Sequence, residues 1–278
     1  MKRIAVQGIA GSFHEDAALK YFNEKTEVIE CKSFTSVCEL IDTDKVDIAV
    51  MAIENSIAGS LLKNYQLIRD YHLRIIGEIY IHIQMNLMVS PGVKPKDITD
   101  IYSHPIALQQ SMEFIEKYYF KARLHEGMDT AGSAKFISEE KKKNAAAIGN
   151  LRSAELYNLE ILETGIESNK KNYTRFLILS KHGNPTKGTN KASICFEVGH
   201  FHGALATVLN TFAENEINLM KIQSVPIIGN PKEYTPHVDI EWDKTENYDR
   251  AIHEVLKSAS SLSILGEYVR GELYIHDQ

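Results

Sequence analysis

The chain has 278 residues, nearly twice the ~150 of a typical domain, so its length predicts two domains or one large domain with an appendage. A hydrophobic fraction of 44% with 24% charged residues is ordinary globular usage and excludes a disordered, collagenous or coiled-coil chain. With 31 Lys and Arg against 37 Asp and Glu the net charge is −6, and without a basic block no nucleic-acid partner is expected.

Met1-Lys2-Arg3 opens with two cations, but the apolar stretch after it is broken by Gln7, Gly8 and Gly11 and ends at His14-Glu15-Asp16, too short for a signal-peptide core. No later stretch approaches the ~20 apolar residues of a membrane span, so no membrane partner is expected either. Cys31, Cys38 and Cys195 lack metal-ligand spacing and sit among apolar neighbours. They read as small buried hydrophobes in a reducing cytoplasm.

Short apolar runs predict strands at Arg3–Gln7, Glu27–Glu30, Asp47–Ile53, Arg74–Val89, Ile101–Ser103, Ala122–His125, Ala145–Ile148 and Thr174–Leu179. Helical stretches fall between them, at about Glu15–Phe22, Ser60–Tyr71 and Ala107–Tyr118. Such alternation argues an α/β domain with a largely parallel sheet. Ligands on these sheets bind beyond the carboxyl ends of the strands, so the residues after each strand carry the functional information.

Gly8-Ile-Ala-Gly11-Ser12-Phe13-His14 follows the first strand and enters a helix. Its glycines suit a tight turn, and equally a backbone that approaches an anion at a helix start; it matches neither the dinucleotide fingerprint nor a P-loop. Glu54-Asn55-Ser56-Ile-Ala-Gly59-Ser60 follows the third strand, where Asn55 and Ser56 either cap the next helix or meet a ligand. Ser103-His104-Pro105 ends a short strand; His104 is a cap, a polar surface residue or a base. Asp129-Thr130-Ala-Gly132-Ser133 occupies the same kind of position. In Asn172-Tyr173-Thr174-Arg175-Phe176, Thr174 and Arg175 either form the polar face of an edge strand or supply a hydrogen-bond donor and a bidentate carboxylate clamp. Five such hydroxyl- and amide-rich loops imply a polar cleft for a small anionic ligand. No Cys/His metal set, Gly-x-Ser-x-Gly elbow or cofactor fingerprint is present, so any catalysis is expected to need no cofactor.

Ser180 to Lys191 contains no aliphatic side chain and carries two Gly and a Pro, which marks a domain boundary. Downstream, a strand at Ala192–Gly199 precedes a helix at His202–Glu216, where Leu205, Val208, Leu209, Phe212 and Ala213 share one stripe. Strands at about Leu219–Ile228 and Thr235–Trp242 flank the turn Gly229-Asn-Pro231. Ile252, Val255, Leu256 and Ala259 then repeat a helical stripe, and a last strand is expected at Gly266–Ile275. The order is βαββαβ, the ferredoxin-like arrangement.

Taken in order, the loops resemble the prephenate dehydratase family. The resemblance rests on Gly8-Ile-Ala-Gly11-Ser-Phe, Ile53-Glu-Asn-Ser56 with Gly59, Ser103-His-Pro105 with Ala107-Leu108, Ala145-Ala-Ala-Ile148 with Tyr157, and Asn172-Tyr-Thr-Arg-Phe176. The C-terminal unit is similar to an ACT regulatory domain, with Gly203-Ala-Leu205 and Ile217-Asn-Leu219. The fold class implied is α/β: a two-lobed periplasmic-binding-protein-like catalytic domain at residues 1–180, a linker at 181–191 and a ferredoxin-like ACT domain at 192–278. Within the first, lobe 1 would take about residues 1–79 and 160–180 and lobe 2 about 80–159, with the site in the cleft between them.

The resemblance implies a cytoplasmic hydro-lyase that converts prephenate to phenylpyruvate in phenylalanine biosynthesis, without cofactor, as a homodimer or homotetramer. Thr174 matches the family's essential threonine and would assist the leaving hydroxyl. Arg175 would clamp a carboxylate, and Gly11, Ser12, Asn55, Ser56, Ser103, His104, Asn172 and Phe176 would complete the substrate site. Gly203, Ala204, Leu205, Asn218, Gln223 and Ser224 would frame an effector pocket for phenylalanine. Two departures stand out. Ser168 replaces the Asp or Asn usual before the threonine, and Gln223-Ser224-Val225-Pro226 replaces the family's Glu-Ser-Arg-Pro, which weakens the expected feedback. Arogenate, with an amine in place of the keto group, is an alternative substrate; a non-catalytic amino-acid or small-anion sensor is the alternative from a different class.

Overall fold

A computed structural model describes residues 1–22, 26–183, 187–199, 201–227 and 229–274. In chain order the elements are β1 (Lys2–Gln7), α1 (Phe13–Phe22), β2 (Thr26–Cys31), α2 (Phe34–Asp42), β3 (Ile48–Asn55), β4 (Gly59–Ser60), α3 (Leu62–Asp70), β5 (Arg74–His82), β6 (Asn86–Val89), β7 (Asp100–Ser103), α4 (Pro105–Gln110) and α5 (Met112–Tyr118). They continue with β8 (Arg123–Glu126), α6 (Thr130–Glu139), β9 (Ala145–Gly149), α7 (Leu151–Leu156), β10 (Glu160–Glu163), β11 (Tyr173–Ser180), β12 (Lys191–Glu197) and α8 (Ala204–Glu214). The last are β13 (Asn218–Ile227), β14 (Asn230–Glu241), α9 (Thr245–Ser258), β15 (Ser261–Tyr268) and β16 (Leu273–Tyr274). The described residues divide into two compact units, those within 1–61, 79–176 and 273–274 in one, and those within 62–78 and 177–272 in the other.

The first unit carries two sheets. One has the strand order β16-β5-β11-β3-β1-β2, with β4 paired antiparallel to the end of β3. Its centre is parallel, β1 lying between β2 and β3. Ile4, Ala5 and Val6 are fully buried, as are Ala49, Val50, Met51 and Ile53; such continuous apolar runs belong to strands covered on both faces. The other sheet has the order β10-β6-β9-β7-β8, parallel among β7, β8 and β9 and antiparallel at β6 and β10. Ala145, Ala146 and Ala147 are buried in β9, and Ala131 and Ala134 of α6 are buried as well. Small side chains at these positions let a helix approach its strand closely.

The two α/β lobes have the arrangement of periplasmic binding proteins, and the chain crosses between their sheets twice, at residues 83–85 and 164–172. Both crossings come a few residues later than the expected lobe limits. Arg74–Val89 is therefore not one strand but two, β5 and β6, which belong to different sheets. The residues between them are tied to the return crossing, Ile83 N–H donating to the Asn172 carbonyl at 2.7 Å and Ile166 N–H to that of Met85 at 2.8 Å. The expected helix Ala107–Tyr118 is likewise two, α4 and α5, meeting at the buried Ser111.

In the second unit, β12-α8-β13-β14-α9-β15 gives an antiparallel sheet in the order β13-β14-β12-β15, which is the ferredoxin-like topology expected. Its core joins Ile194, Phe196, Val208, Phe212, Ile240 and Val255, with Trp242 stacked on Tyr248 at 4.0 Å. The last strand starts earlier than expected, at Ser261, and ends at Tyr268; Ile275, Ile228 and residues 184–186 of the expected linker lie outside the described residues. Lys191, expected as the last linker residue, instead opens β12 and is 2% exposed. It pairs with Glu78 at 2.9 Å and Glu241 at 3.1 Å, which explains how a cation survives burial.

Cys31, Cys38 and Cys195 are buried free thiols, and burial pushes that of Cys38 up to about 12. No described helix is long and apolar enough to cross a membrane.

Candidate functional site

The loops singled out in the sequence are mostly helix caps placed after strands. Ser12 Oγ accepts from Glu15 N–H at 3.3 Å at the start of α1. His104 caps α4, its Nδ1 accepting from Ile106 N–H at 3.3 Å, with Pro105 in the first helical position where no N–H is needed. Asp129 caps α6 through Gly132 N–H at 2.5 Å, and Asn150 caps α7 through Ser153 N–H at 2.9 Å. Asn55 and Ser56 do not cap α3, which begins only at Leu62. They turn the chain from β3 into β4, Asn55 Oδ1 accepting from Ile57 N–H at 3.0 Å and Ala58 N–H at 2.8 Å, with Gly59 at a φ of 84°.

Between the two lobes of the first unit lies a cavity of about 330 Å3, the size of a small-molecule site. The first lobe contributes Phe13, His14, Ala52, Asn55, Gly59, Ser60, Thr174 and Phe176; the second contributes His104, Ala107, Gln110, Met128, Asp129 and Thr130. One polar chain runs along its wall. Asn55 Nδ2 donates to Thr174 Oγ1 at 3.0 Å and to Asn172 Oδ1 at 2.8 Å, and Asn172 Nδ2 donates to Gln110 Oε1 at 3.0 Å. Because Thr174 accepts from Asn55, its own hydroxyl proton remains available to another acceptor. Asn172 is fully buried behind the wall, so this chain is a fixed scaffold.

Of the expected site residues, Thr174, Asn55, Phe176 and His104 line the cavity, and Asn172 supports them. The others stand elsewhere. Arg175 is not a cleft-facing clamp: successive strand residues point to opposite faces, so with Thr174 and Phe176 on the cavity Arg175 turns away, buried at 4% exposure with its guanidinium 5.9 Å over the Tyr80 ring. Ser103 is fully buried and donates to the Ile148 carbonyl at 2.7 Å, bracing the second sheet. Ser56 is exposed, donating to the Lys171 carbonyl and accepting from Tyr173 N–H, both at 2.9 Å. Ser12 serves its helix, and Gly11 packs against the second lobe, where a Cβ would stand 3.1 Å from Ser153 Cα.

That contact belongs to a clasp between the lobes. Arg152 Nε donates to Glu15 Oε2 at 2.9 Å, Gly11 N–H donates to the same oxygen at 2.7 Å, and Tyr157 OH donates to the Ala10 carbonyl at 2.6 Å.

Gln110 and His14 are polar lining residues not expected from the sequence. Gln110 sits one helical turn after Ala107 on the same face of α4, a spacing that marks it only once that face is known to meet a cleft. His14 precedes the buried Ala17 and Ala18 by three and four residues, so it lies on the inward stripe of α1. Its Nε2 accepts from Ala52 N–H at 3.3 Å, and its ring meets Phe176 edge-on at 5.0 Å and Phe34 at 5.4 Å. Burial pushes its pKa down to about 4, so the imidazole is neutral near pH 7. Burial also lowers that of His104, against the opposing pull of Asp129 and Glu126.

In the second unit a cavity of about 740 Å3 is lined by Gly203, Ala204 and Leu205 together with Val198, Phe201 and Leu209. Asn218, Gln223 and Ser224 lie along β13 and not on its wall. Gln223 Nε2 donates to the Ser224 carbonyl at 3.0 Å, and Val225 is fully buried.

The prephenate dehydratase family profile matches residues 4–184. Arogenate dehydratase 5, chloroplastic, of Arabidopsis thaliana is 35% identical, the alignment covering 96% of this chain and 67% of the relative. Arogenate dehydratase/prephenate dehydratase 6, chloroplastic, of the same plant is 34% identical over 96% of this chain and 68% of its own length. Among solved structures, prephenate dehydratase from Arthrobacter aurescens in complex with L-Phe superimposes with a TM-score of 0.85 at 26% identity, covering 96% of this chain and 90% of that one. The chain belongs to the prephenate dehydratase family.

Proposed function

We propose that this chain is a prephenate dehydratase, removing water and carbon dioxide from prephenate to give phenylpyruvate. The observation that carries the reading is the hydrogen bond from Asn55 Nδ2 to Thr174 Oγ1, which leaves the threonine proton for the cleft. In the reaction, the ring carbon–oxygen bond breaks as the departing hydroxyl takes a proton and leaves as water. The bond to the ring carboxylate breaks at the other end, its electron pair completes the aromatic ring, and carbon dioxide departs. One proton is consumed overall, because a dianion becomes a monoanion. Aromatisation supplies the driving force, so the site has to orient the ring and hydrogen-bond the leaving oxygen; its preformed amide chain does this without reorganisation.

Among the described residues that line the cavity none is Lys or Arg, so in this reading the anionic ends of the substrate are met by other means. The first turns of α1 and α6 contribute Phe13, His14 and Thr130 to its wall, which brings the positive ends of two ten-residue helices to the site. Phe176 offers a flat wall to the ring.

Both substrate names occur among the relatives, and the amine-bearing arogenate is the second reading. The Asp129 carboxylate favours it, as the one anionic group among the described lining residues that could meet an ammonium. Adding prephenate or arogenate to the purified protein and following phenylpyruvate or phenylalanine separates the two; the proposal expects faster turnover of prephenate.

For regulation, the cavity at Gly203-Ala204-Leu205 is our candidate for an amino-acid effector, and the A. aurescens relative bound L-Phe. With Gln223 and Val225 where a carboxylate and a guanidinium would form an ion pair, phenylalanine inhibits weakly. We assign the protein to a reducing cytoplasm, where its three thiols persist, and to a homodimer or homotetramer.

A further inference from the structure

We infer that His14 holds the acid end of the substrate, donating a hydrogen bond from Nδ1 to a carboxylate or keto oxygen. The inference rests on the reading of the cleft as a dehydratase site and adds to it a recognition residue.

The tautomer follows from the local fold. Ala52 on β3 donates its N–H to His14 Nε2 at 3.3 Å; a backbone N–H can only donate, and an Nε2 that accepts leaves the ring proton on Nδ1. That N–H has no hydrogen-bond partner among the described residues. His14 lines the cavity, and the proposed donation runs into it. Phe34 and Phe176 fix the ring from two sides. The result is a neutral donor of set direction in a cleft with no Lys or Arg among its described lining residues, and it suits an oxygen acceptor where an ammonium would meet a second donor.

Position selects the end of the substrate. Ala52 and Asn55 are three residues apart on one strand, about 10 Å. Asn55 sets Thr174, which attends the leaving hydroxyl, so the other end of the substrate is the one assigned to His14.

Two substitutions separate recognition from support. His14→Gln keeps an acceptor for Ala52 N–H and removes the Nδ1 donor. His14→Asn keeps a donor near Nδ1 and removes the acceptor. Binding of prephenate by titration calorimetry, with KM, kcat and thermal unfolding, is measured for the wild type and both variants. The expected result is a Kd and KM raised about tenfold in H14Q with kcat within threefold, while H14N binds within threefold of the wild type. H14Q indistinguishable from the wild type, with only H14N impaired, overturns the inference, because His14 would then serve Ala52 alone. If H14N fails to fold, H14Q still decides. A wild type that binds prephenate without turning it over overturns the dehydratase reading and leaves the His14 comparison standing on Kd; a wild type that does not bind prephenate overturns both.

Discussion

Asn55→Asp is the sharpest probe of how the cleft directs a proton. The Asn55 side chain has two faces. Its oxygen accepts from Ile57 and Ala58 N–H at 3.0 and 2.8 Å, and its nitrogen donates to Thr174 Oγ1 and Asn172 Oδ1 at 3.0 and 2.8 Å. A carboxylate keeps the first face, so the turn into β4 survives. On the second face it sets an acceptor against three oxygens, those of Thr174 and Asn172 and the Tyr173 carbonyl at 3.3 Å. The conflict is relieved when the Thr174 hydroxyl rotates to donate to the new carboxylate, which withdraws its proton from the leaving group. Loss of one preorganised donor of this kind costs about 10²–10³ in kcat, or roughly 2.7–4 kcal/mol of transition-state stabilisation. The added charge also repels an anionic substrate and raises KM, so the diagnostic quantity is kcat at saturating prephenate, followed by phenylpyruvate absorbance. A kcat within about threefold of the wild type, with the variant folded, would refute the role given to Asn55.

Three further outcomes follow from buried groups. Lys191→Met removes the cation paired with the buried Glu78 carboxylate, which keeps the Gly271 N–H at 2.9 Å, and should cost about 3–5 kcal/mol in denaturant unfolding, while Lys191→Met with Glu78→Met regains most of it; equal stability of the single variant and the wild type would show that the pair is not coupled. Burial holds the His237 pKa at about 4, below its ordinary 6.5, so its contribution is complete above about pH 6.5 and is lost as the pH falls towards 4, to a total of about 3 kcal/mol. His237→Phe should therefore flatten the decline of Tm between pH 7 and pH 5, and an unchanged decline would assign it to other groups. Gly11→Ala places a Cβ 3.1 Å from Ser153 Cα on a backbone at a φ of 86°, so it should loosen the clasp between the lobes and raise KM several-fold, with a smaller effect on kcat; an unaltered KM would separate the clasp from binding.

The sequence made the architecture legible wherever one physical signal dominated. Ile4-Ala-Val6 and Ala145-Ala-Ala147 are too apolar for anything but covered strands, and the stripe through Val208 and Phe212 identified α8. It failed where tertiary context decides. Arg74–Val89 reads as one apolar run, yet a crossover breaks it at residues 83–85, where Ile83 N–H donates to the Asn172 carbonyl and the Met85 carbonyl accepts from Ile166 N–H, both partners from distant chain. Asn55 and Ser56 have cap chemistry, but their side chains turn a hairpin instead. Lys191 closes a polar stretch and gives no hint of its two buried carboxylate partners. At the candidate cavity, Thr174 and Asn55 stand on the wall as expected, while Arg175, whose residue type suggested a clamp, is turned away by strand alternation. His14 and Gln110 were hidden for the opposite reason, each having an ordinary place on a helix until the second lobe is present to complete a wall.

The central claim is that Thr174 supplies the hydrogen bond that lets the hydroxyl leave. The most direct measurement compares wild type with Thr174→Val for phenylpyruvate formation from prephenate, alongside prephenate binding to both. The expected result is robust turnover by the wild type, at most about 1% of it in the variant, consistent with the loss of one transition-state donor, and a Kd changed by no more than about tenfold. Turnover undiminished in T174V, or absent in the wild type, would contradict it.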